Sequence, residues 1–455
     1  MSDWWSDEPI LHSEDDRFGR RRFIDHAISL VRQIGTRPSS AVIGLVGPWG
    51  SGKTSSMRLI AAGLPTADWR VAWVNPWAVG GPDAVTAEVL GAIQSVLPPG
   101  GKAQRALSQV TRHSRHLTPA IALLPYAGEP LKAGVESVLN EANGSGTLAE
   151  QLGKAEKALL KLQQPVLVVL DDLDRLQPDQ LLTVFRAIRV LGRLPYVHYL
   201  VAYDHQTLLD VLCATPIANG RVDRAVAFLE KIVNLPLDQP PFREEHAERL
   251  LTEGIAAALD AAGVGITDEV ADRLAAERDV LLSLLAEPRA LSRLVAQLRI
   301  YLPLVGADEV DLVDFLVLTY LRLAHPLLYR DLSMRSGLLT LVVPGKESSL
   351  PRYRYDAESL VERFHVPDVH GRRVARILQR LFPILDPDSH PAQDSAWRAK
   401  RKYDHRASDP DCVDRYFALA ADENDVGRRS RRRAVVPRVP MPVGSEGETG
   451  GSPVS

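Results

Sequence analysis

Cysteine is scarce in this chain of 455 residues: Cys213 and Cys412, far apart in sequence, are the only two. That count excludes a disulfide framework and suits a reducing compartment. Long apolar runs are also missing, and none approaches the ~18–20 residues needed to span a bilayer. The best candidate, residues 117–126, is only ten residues long and carries Pro119 and Pro125. It reads as a packed helix or loop rather than a membrane span. No charge of one sign dominates, because 54 Lys and Arg face 57 Asp and Glu for a net charge of −3. Bulk charge therefore names no partner. The opening residues, Met1-Ser2-Asp3-Trp4-Trp5-Ser6-Asp7-Glu8, are acidic and do not form a signal peptide. The expectation is a cytoplasmic protein without a transmembrane segment.

What is present is an ordinary globular composition, 45% hydrophobic and 24% charged, with length for two or three domains. The most informative stretch starts as an apolar run, Ala41-Val42-Ile43-Gly44-Leu45-Val46, which reads as a buried strand. It turns through Gly47-Pro48-Trp49-Gly50-Ser51-Gly52-Lys53-Thr54 into Ser55 and a stretch with helical spacing. Gly47, four residues, then Gly52-Lys53-Thr54 is the phosphate-binding P-loop pattern. Glycines let backbone N–H groups approach phosphate oxygens where a Cβ would clash. The following helix adds its dipole and unpaired N–H donors. Lys53 can reach the β- and γ-phosphates, and Thr54 offers a hydroxyl to Mg²⁺. The alternative is a plain Gly-rich strand–helix turn.

Around this loop the chain alternates strand and helix from about residue 32 to 240. Strands are expected at 70–77, 166–170, 196–202 and 232–237, with helices at 23–34, 83–96, 147–163, 180–191 and 223–232. The alternation predicts an α/β fold with a mostly parallel sheet. The expected domains are a polar lead-in (1–14), the α/β core (15–240) with a variable insert (97–150), and a helical lobe (241–332). A mixed C-terminal region (333–426) and a disordered tail (427–455), basic and then Gly/Ser-rich, follow. Asn143-Gly144-Ser145-Gly146 reads as a flexible joint. Residues 352–406 hold 12 Lys and Arg against 8 Asp and Glu, which fits a modestly basic surface or a nucleic-acid face.

A P-loop needs a metal carboxylate and a group that positions water. The run Val166-Leu167-Val168-Val169-Leu170 is β-type throughout and ends in Asp171-Asp172-Leu173-Asp174-Arg175. A carboxylate at the C-terminal tip of a buried strand faces the crevice where nucleotides sit. Asp171 is therefore expected to hold Mg²⁺ with Thr54, and Asp172 to orient or deprotonate the attacking water. The alternative for Asp172 is a helix N-cap. Arg175 can pair with Asp174 or reach the γ-phosphate of a neighbouring subunit. Asp204, at the tip of the next apolar strand, is a candidate for γ-phosphate or water contact, or else a strand-end turn residue. Glu287-Pro288-Arg289 opens a helix, and Arg289 there could fold over the phosphates or lie exposed in the first turn. No guanine-reading Asn-Lys-x-Asp run is apparent, and adenine is not fixed over guanine either.

Taken in order, these motifs resemble the KAP P-loop NTPases. The set runs from Asp15-Asp16-Arg17-Phe18-Gly19-Arg20 through the P-loop, Asn75-Pro76-Trp77 and Asp171-Asp172-Leu173-Asp174-Arg175. It continues with Ala202-Tyr203-Asp204, Phe228-Leu229-Glu230-Lys231-Ile232, Pro288-Arg289-Ala290-Leu291-Ser292-Arg293 and Val413-Asp414-Arg415-Tyr416-Phe417. The resemblance implies a P-loop fold of the additional-strand type, with the strand ending at Asp204 between the other two motif strands, followed by the helical lobe. It implies ATP with Mg²⁺ and a regulatory or signalling NTPase associated in bacteria with exclusion of phage. Many members carry paired membrane helices between the two phosphate motifs, and residues 97–150 are too poor in apolar runs for that.

Three functional classes follow. The leading one is an ATP-driven switch, with hydrolysis resetting it and a protein partner or effector left unspecified. The second is a scaffold that binds nucleotide and hydrolyses slowly or not at all, since Asp172 is shorter than a glutamate. The third is a nucleic-acid-associated ATPase using the basic 352–406 face. Self-association into a homo-oligomer is left open.

Overall fold

The computed structural model describes residues 8–78, 82–112, 147–285, 287–340, 356–386 and 395–419. Most of the 97–150 insert, with its Gly-Ser joint and the 117–126 run, and the whole 427–455 tail lie outside them. The described chain divides into two compact units, Met1–Glu253 with Leu282–Arg293, and Gly254–Leu281 with Leu294–Ser455.

The first unit is built on a five-stranded parallel sheet. Its strands are β1 (Val42–Val46), β2 (Arg70–Val74), β3 (Val166–Leu170), β4 (Val197–Tyr203) and β5 (Leu235–Asp238). Their spatial order is β2-β3-β4-β1-β5, and every pairing is parallel. β4 thus lies between the P-loop strand and the Asp171 strand, which is the additional-strand arrangement. β2 stops at Val74, because the following Pro76 cannot donate to a ladder and opens a 3₁₀ turn.

The two-residue period of a strand explains why β3 is apolar without interruption. Val166, Val168 and Leu170 enter one core cluster, and Leu167 and Val169 enter the other, so β3 is buried on both faces. The second cluster holds Ile24, Ala27 and Val31 of helix α1 (Arg21–Gly35) and Met57 and Ile60 of α2 (Lys53–Ala62). The first cluster is covered by α3 (Pro82–Val96), α4 (Lys102–Arg112), α5 (Thr147–Leu162), α6 (Pro178–Leu191), α7 (His205–Cys213) and α8 (Val222–Glu230). Helices on both faces of a parallel sheet leave its C-terminal edge free for a site.

Gly44, in the middle of β1, has no room for a side chain. A Cβ there would stand 2.7 Å from Val233 Cγ1 and 2.9 Å from Tyr203 Oη. Gly44→Val should therefore overpack the core and lower stability by about 2–3 kcal/mol. The urea midpoint against the parent checks this, and an unchanged midpoint would show that the contact yields easily.

Helix α9 (Glu244–Ala262), α10 (Asp268–Leu284) and α11 (Pro288–Val305) follow β5. In the second unit, α12 (Leu312–Ala324) is buried on nearly all sides. Its N-cap, Asp311, accepts from the Asp314 amide at 2.9 Å. Two buried carboxylates so close need cations. Arg273 pairs with both, and Arg406 Nε meets Asp314 at 2.8 Å. Burial and the neighbouring Asp314 push the Asp311 carboxyl above its usual range, against the pull of Arg273. The Val413–Phe417 motif docks here. Tyr416 Oη accepts from the Asp311 amide at 2.7 Å and donates to the His405 carbonyl at 2.5 Å, while Arg415 pairs with Glu309 at 2.9 Å. That motif therefore closes the fold of the second unit around the start of α12.

Candidate nucleotide site

The site grows from the end of β1. Gly47 donates to the Tyr203 carbonyl at 3.2 Å, and Ser51 to the Pro48 carbonyl at 3.2 Å, which tightens the loop. Gly50 (φ +76°) and Gly52 (φ +88°) take left-handed backbone, which only glycine adopts without strain. Gly52 is the N-cap of α2, so the first amides of that helix face a cavity of about 610 Å³. Trp49, Gly50, Gly52, Lys53, Thr54 and Ser55 line it; Gly47 and Ser51 do not.

β3 brings the acids. Asp171 and Asp172 both line the cavity, as do Asp174 and Arg175. Asp171 Oδ1 accepts from the Asp172 amide at 2.9 Å, and Asp172 sits in left-handed backbone (φ 57°) at the start of a 3₁₀ turn. Its side chain makes no capping bond there. Instead Asp172 Oδ1 pairs with Arg175 Nε at 3.2 Å. Arg175 in turn lies over the Trp49 ring, 4.7 Å from its centroid. Arg175 thus belongs to the cavity of its own chain. Burial and the adjacent Asp171 raise the Asp172 pKa, and Arg175 opposes them.

Lys53 is folded back. Its ammonium donates to the Gly47 carbonyl at 2.9 Å and the Pro48 carbonyl at 3.1 Å, and lies 3.7 Å from Asp174. Burial lowers its pKa, more than the four aspartates at 171, 172, 174 and 204 raise it. Asp174 is the organiser here: buried to 6% exposure, it also accepts from the Asp204 amide at 2.9 Å. Asp204 itself caps α7, accepting from the Thr207 amide at 2.8 Å, and is not part of the cavity wall.

The opposite wall comes from the N-terminal stretch, which also gives Asp15, Arg17 and Phe18, from Leu250 of α9 and from the start of α11. Residues 8–12, read from sequence as a lead-in, line the cavity, and the Ile10 amide donates to Ser55 Oγ at 3.3 Å. The start of α11 contributes Pro288, Arg289 and Ser292. Glu287, just before it, packs against the loop: a Cβ on Gly50 would stand 3.0 Å from Glu287 Oε2 and 3.3 Å from Arg289 Cβ. Burial raises the Glu287 pKa, with Asp204 adding to it, while Arg289 and Lys53 pull it down. The sequence names Asp174 as a partner for Arg175 and Glu287 as a helix start, but gives neither a role at the site, and Arg175 pairs with Asp172 instead. Asp174 has a faint signal in the Asp-x-Asp spacing, and Glu287 has none that periodicity could supply.

The donor set suits a nucleotide with a hard cation. Thr54 and Asp171 supply one hydroxyl and one carboxylate facing the same space. Mg²⁺ takes few protein ligands and fills its octahedron with phosphate oxygens and water. Among the described residues no group of three or more His, Cys, Asp and Glu is placed to hold a metal, and no helix is long and apolar enough to cross a membrane.

The Phage T7 exclusion protein of Escherichia coli (strain K12) is 28% identical over 263 residues, which cover 51% of this chain and 34% of that protein. The chain thus spans about a third of the length of that curated relative. Among solved structures, Cdc6p from Pyrobaculum aerophilum aligns with 91% of this chain and 96% of its own at 11% identity and a TM-score of 0.39. The ORC2 protein of Aeropyrum pernix aligns with 83% and 97% at 11% identity and a TM-score of 0.34. The model of the KAP family P-loop domain matches residues 20–305, well over half of the chain, from the start of α1 through the P-loop and both acidic strand ends. The chain belongs to the KAP family of P-loop NTPases.

Proposed function

We propose that this chain binds ATP with Mg²⁺ and hydrolyses it, as a switch that passes the state of its nucleotide to a partner. The observation that carries the reading is the convergence of Lys53, Thr54, Asp171 and Asp172 on one cavity of nucleotide size. The phosphates would lie against the amides of Gly50 to Ser55, with Lys53 swinging from its carbonyl partners to the β- and γ-phosphates. Thr54 and Asp171 would hold Mg²⁺, which supplies charge neutralisation on the phosphates. Asp172 would accept a proton from the attacking water, and Arg289 would reach the γ-phosphate from the first turn of α11. The biological setting, exclusion of phage, is taken from the name of the similar Escherichia coli protein. The proposal includes a cytoplasmic location, where ATP and Mg²⁺ are both available.

The Asp172–Arg175 ion pair favours a second reading, in which turnover is slow until a partner draws Arg175 away. One experiment addresses both. Phosphate release from ATP is followed with the purified chain, with Mg²⁺ and with EDTA. Mg²⁺-dependent turnover supports the switch. Tight ATP binding without turnover supports the second reading. Failure to bind ATP at all would sink both.

A further inference from the structure

We infer that Arg20, acting with Gln239, is a positioning residue that sets the peptide plane on which the phosphate loop depends; this rests on the nucleotide reading above. Arg20 is buried to 5% exposure behind the loop. Its Nη1 donates to the Ser51 carbonyl at 2.5 Å, and its Nη2 to the Pro240 carbonyl at 3.1 Å. Gln239 Nε2 donates to the same Ser51 carbonyl at 2.8 Å. Gln239 is itself held to the end of β1, its amide donating to the Val46 carbonyl at 2.7 Å.

Two donors on one carbonyl fix its direction. The peptide bond is planar and trans, so the N–H that follows points the opposite way. Drawing the Ser51 carbonyl outward turns the Gly52 N–H inward, and Gly52 lines the cavity. The backbone that results is the left-handed Gly52 at the N-cap of α2. Without the two donors, the Ser51–Gly52 peptide is free to flip, and a phosphate donor is lost.

Arg20 is in turn built into its place. The amides of Phe18 and Arg20 both donate to the Asp16 carboxylate, at 3.0 Å and 2.6 Å. The guanidinium lies 5.2 Å from the Phe18 ring centroid, and Phe18 packs edge-on against Phe242 at 5.2 Å. Burial lowers the Arg20 pKa to about 10, which leaves it charged at neutral pH. A cation therefore stands one peptide behind the phosphates, where a Cβ on Gly52 would meet its Nη1 at 3.2 Å. The Asp16-Arg17-Phe18-Gly19-Arg20 motif thereby gains a role in nucleotide binding without a residue of it needing to touch the phosphates.

The test uses the full chain and the variants Arg20→Gln, Arg20→Lys, Gln239→Ala and the Arg20→Gln/Gln239→Ala pair. ATP and ADP affinities are measured by displacement of a fluorescent analogue. Hydrogen exchange of peptides covering residues 47–54 is followed without nucleotide. Arg20→Gln should weaken both nucleotides about tenfold or more, and Gln239→Ala about three- to tenfold, since each removes a donor from the same buried carbonyl. Arg20→Lys should recover part of the loss. The pair should lose less than the product of the single losses, because both act on one group. Loop exchange should rise in Arg20→Gln and Gln239→Ala while exchange in β3 stays put. Affinities within twofold of the parent in both single variants, with unchanged loop exchange, would overturn the role. A parent chain that binds no nucleotide would overturn the reading of the site, and this role with it.

Discussion

Lys53→Met should abolish measurable ATP binding, with a loss of about 100-fold or more, equivalent to roughly 3 kcal/mol. The magnitude follows from what the lysine has to do. In the free protein its ammonium is parked on the Gly47 and Pro48 carbonyls, beside Asp174. A polyphosphate entering the cavity brings negative charge next to the aspartates at 171, 172 and 174, which together with Asp204 act on Lys53. Arg175, another cation lining the cavity, is already paired to Asp172. Lys53 is then the group that offsets their repulsion. Methionine keeps the alkyl stem and its packing, so the loss should appear in affinity and not in folding. Burial already lowers the Lys53 pKa, which means the fold gains little from that charge before nucleotide arrives. Calorimetry with ATP and Mg²⁺, beside circular dichroism of the free variant, separates the two effects. Binding within tenfold of the parent would show that Lys53 does not meet the phosphates.

How much of this was legible in the sequence depends on the range of the interaction. The β3 run was legible because five apolar residues followed by two acids are one local pattern. The P-loop was legible for the same reason. Helices such as 180–191 could be read because their apolar stripe repeats within the helix itself. The order of the strands came only through family resemblance, since nothing local decides that β4 lies between β1 and β3. The role of Asp174 is not legible locally, because its partners are an ammonium from α2 and an amide 30 residues downstream. Arg20 stands in a legible motif, but its meaning depends on a carbonyl 31 residues away. Glu287 reaches the loop only because the sheet and α11 bring it to Gly50, where the missing Cβ leaves room. Asp204 was read from its position at a strand tip, and its carboxylate turns out to cap the next helix. Local chemistry thus announced the phosphate loop and the acids, and tertiary packing chose the groups that hold them in place.

Asp172→Asn should keep ATP binding and lose turnover by about 10²- to 10⁴-fold, the range set by removing a positioned general base. The geometry makes the variant a clean one. Asparagine is nearly isosteric, and the Asp172 side chain makes no capping bond that the fold would miss. Removing a negative charge beside the phosphates should, if anything, tighten ATP. The pH profile adds an independent reading. Burial, with Asp171, raises the Asp172 pKa, and Arg175 holds it down. A base works only when deprotonated, so turnover should rise with pH through a limb above the ordinary aspartate value. Arg175→Ala removes the opposing cation, and the limb should move to higher pH. If the ion pair also holds the base back, the plateau above that limb should rise. A limb that stays in place in Arg175→Ala would mean that another group titrates. Asp172→Asn turning over at more than a tenth of the parent rate would take Asp172 out of the chemistry, leaving Glu287 as the next carboxylate to test, since it already feels Lys53 and Arg289 across the P-loop.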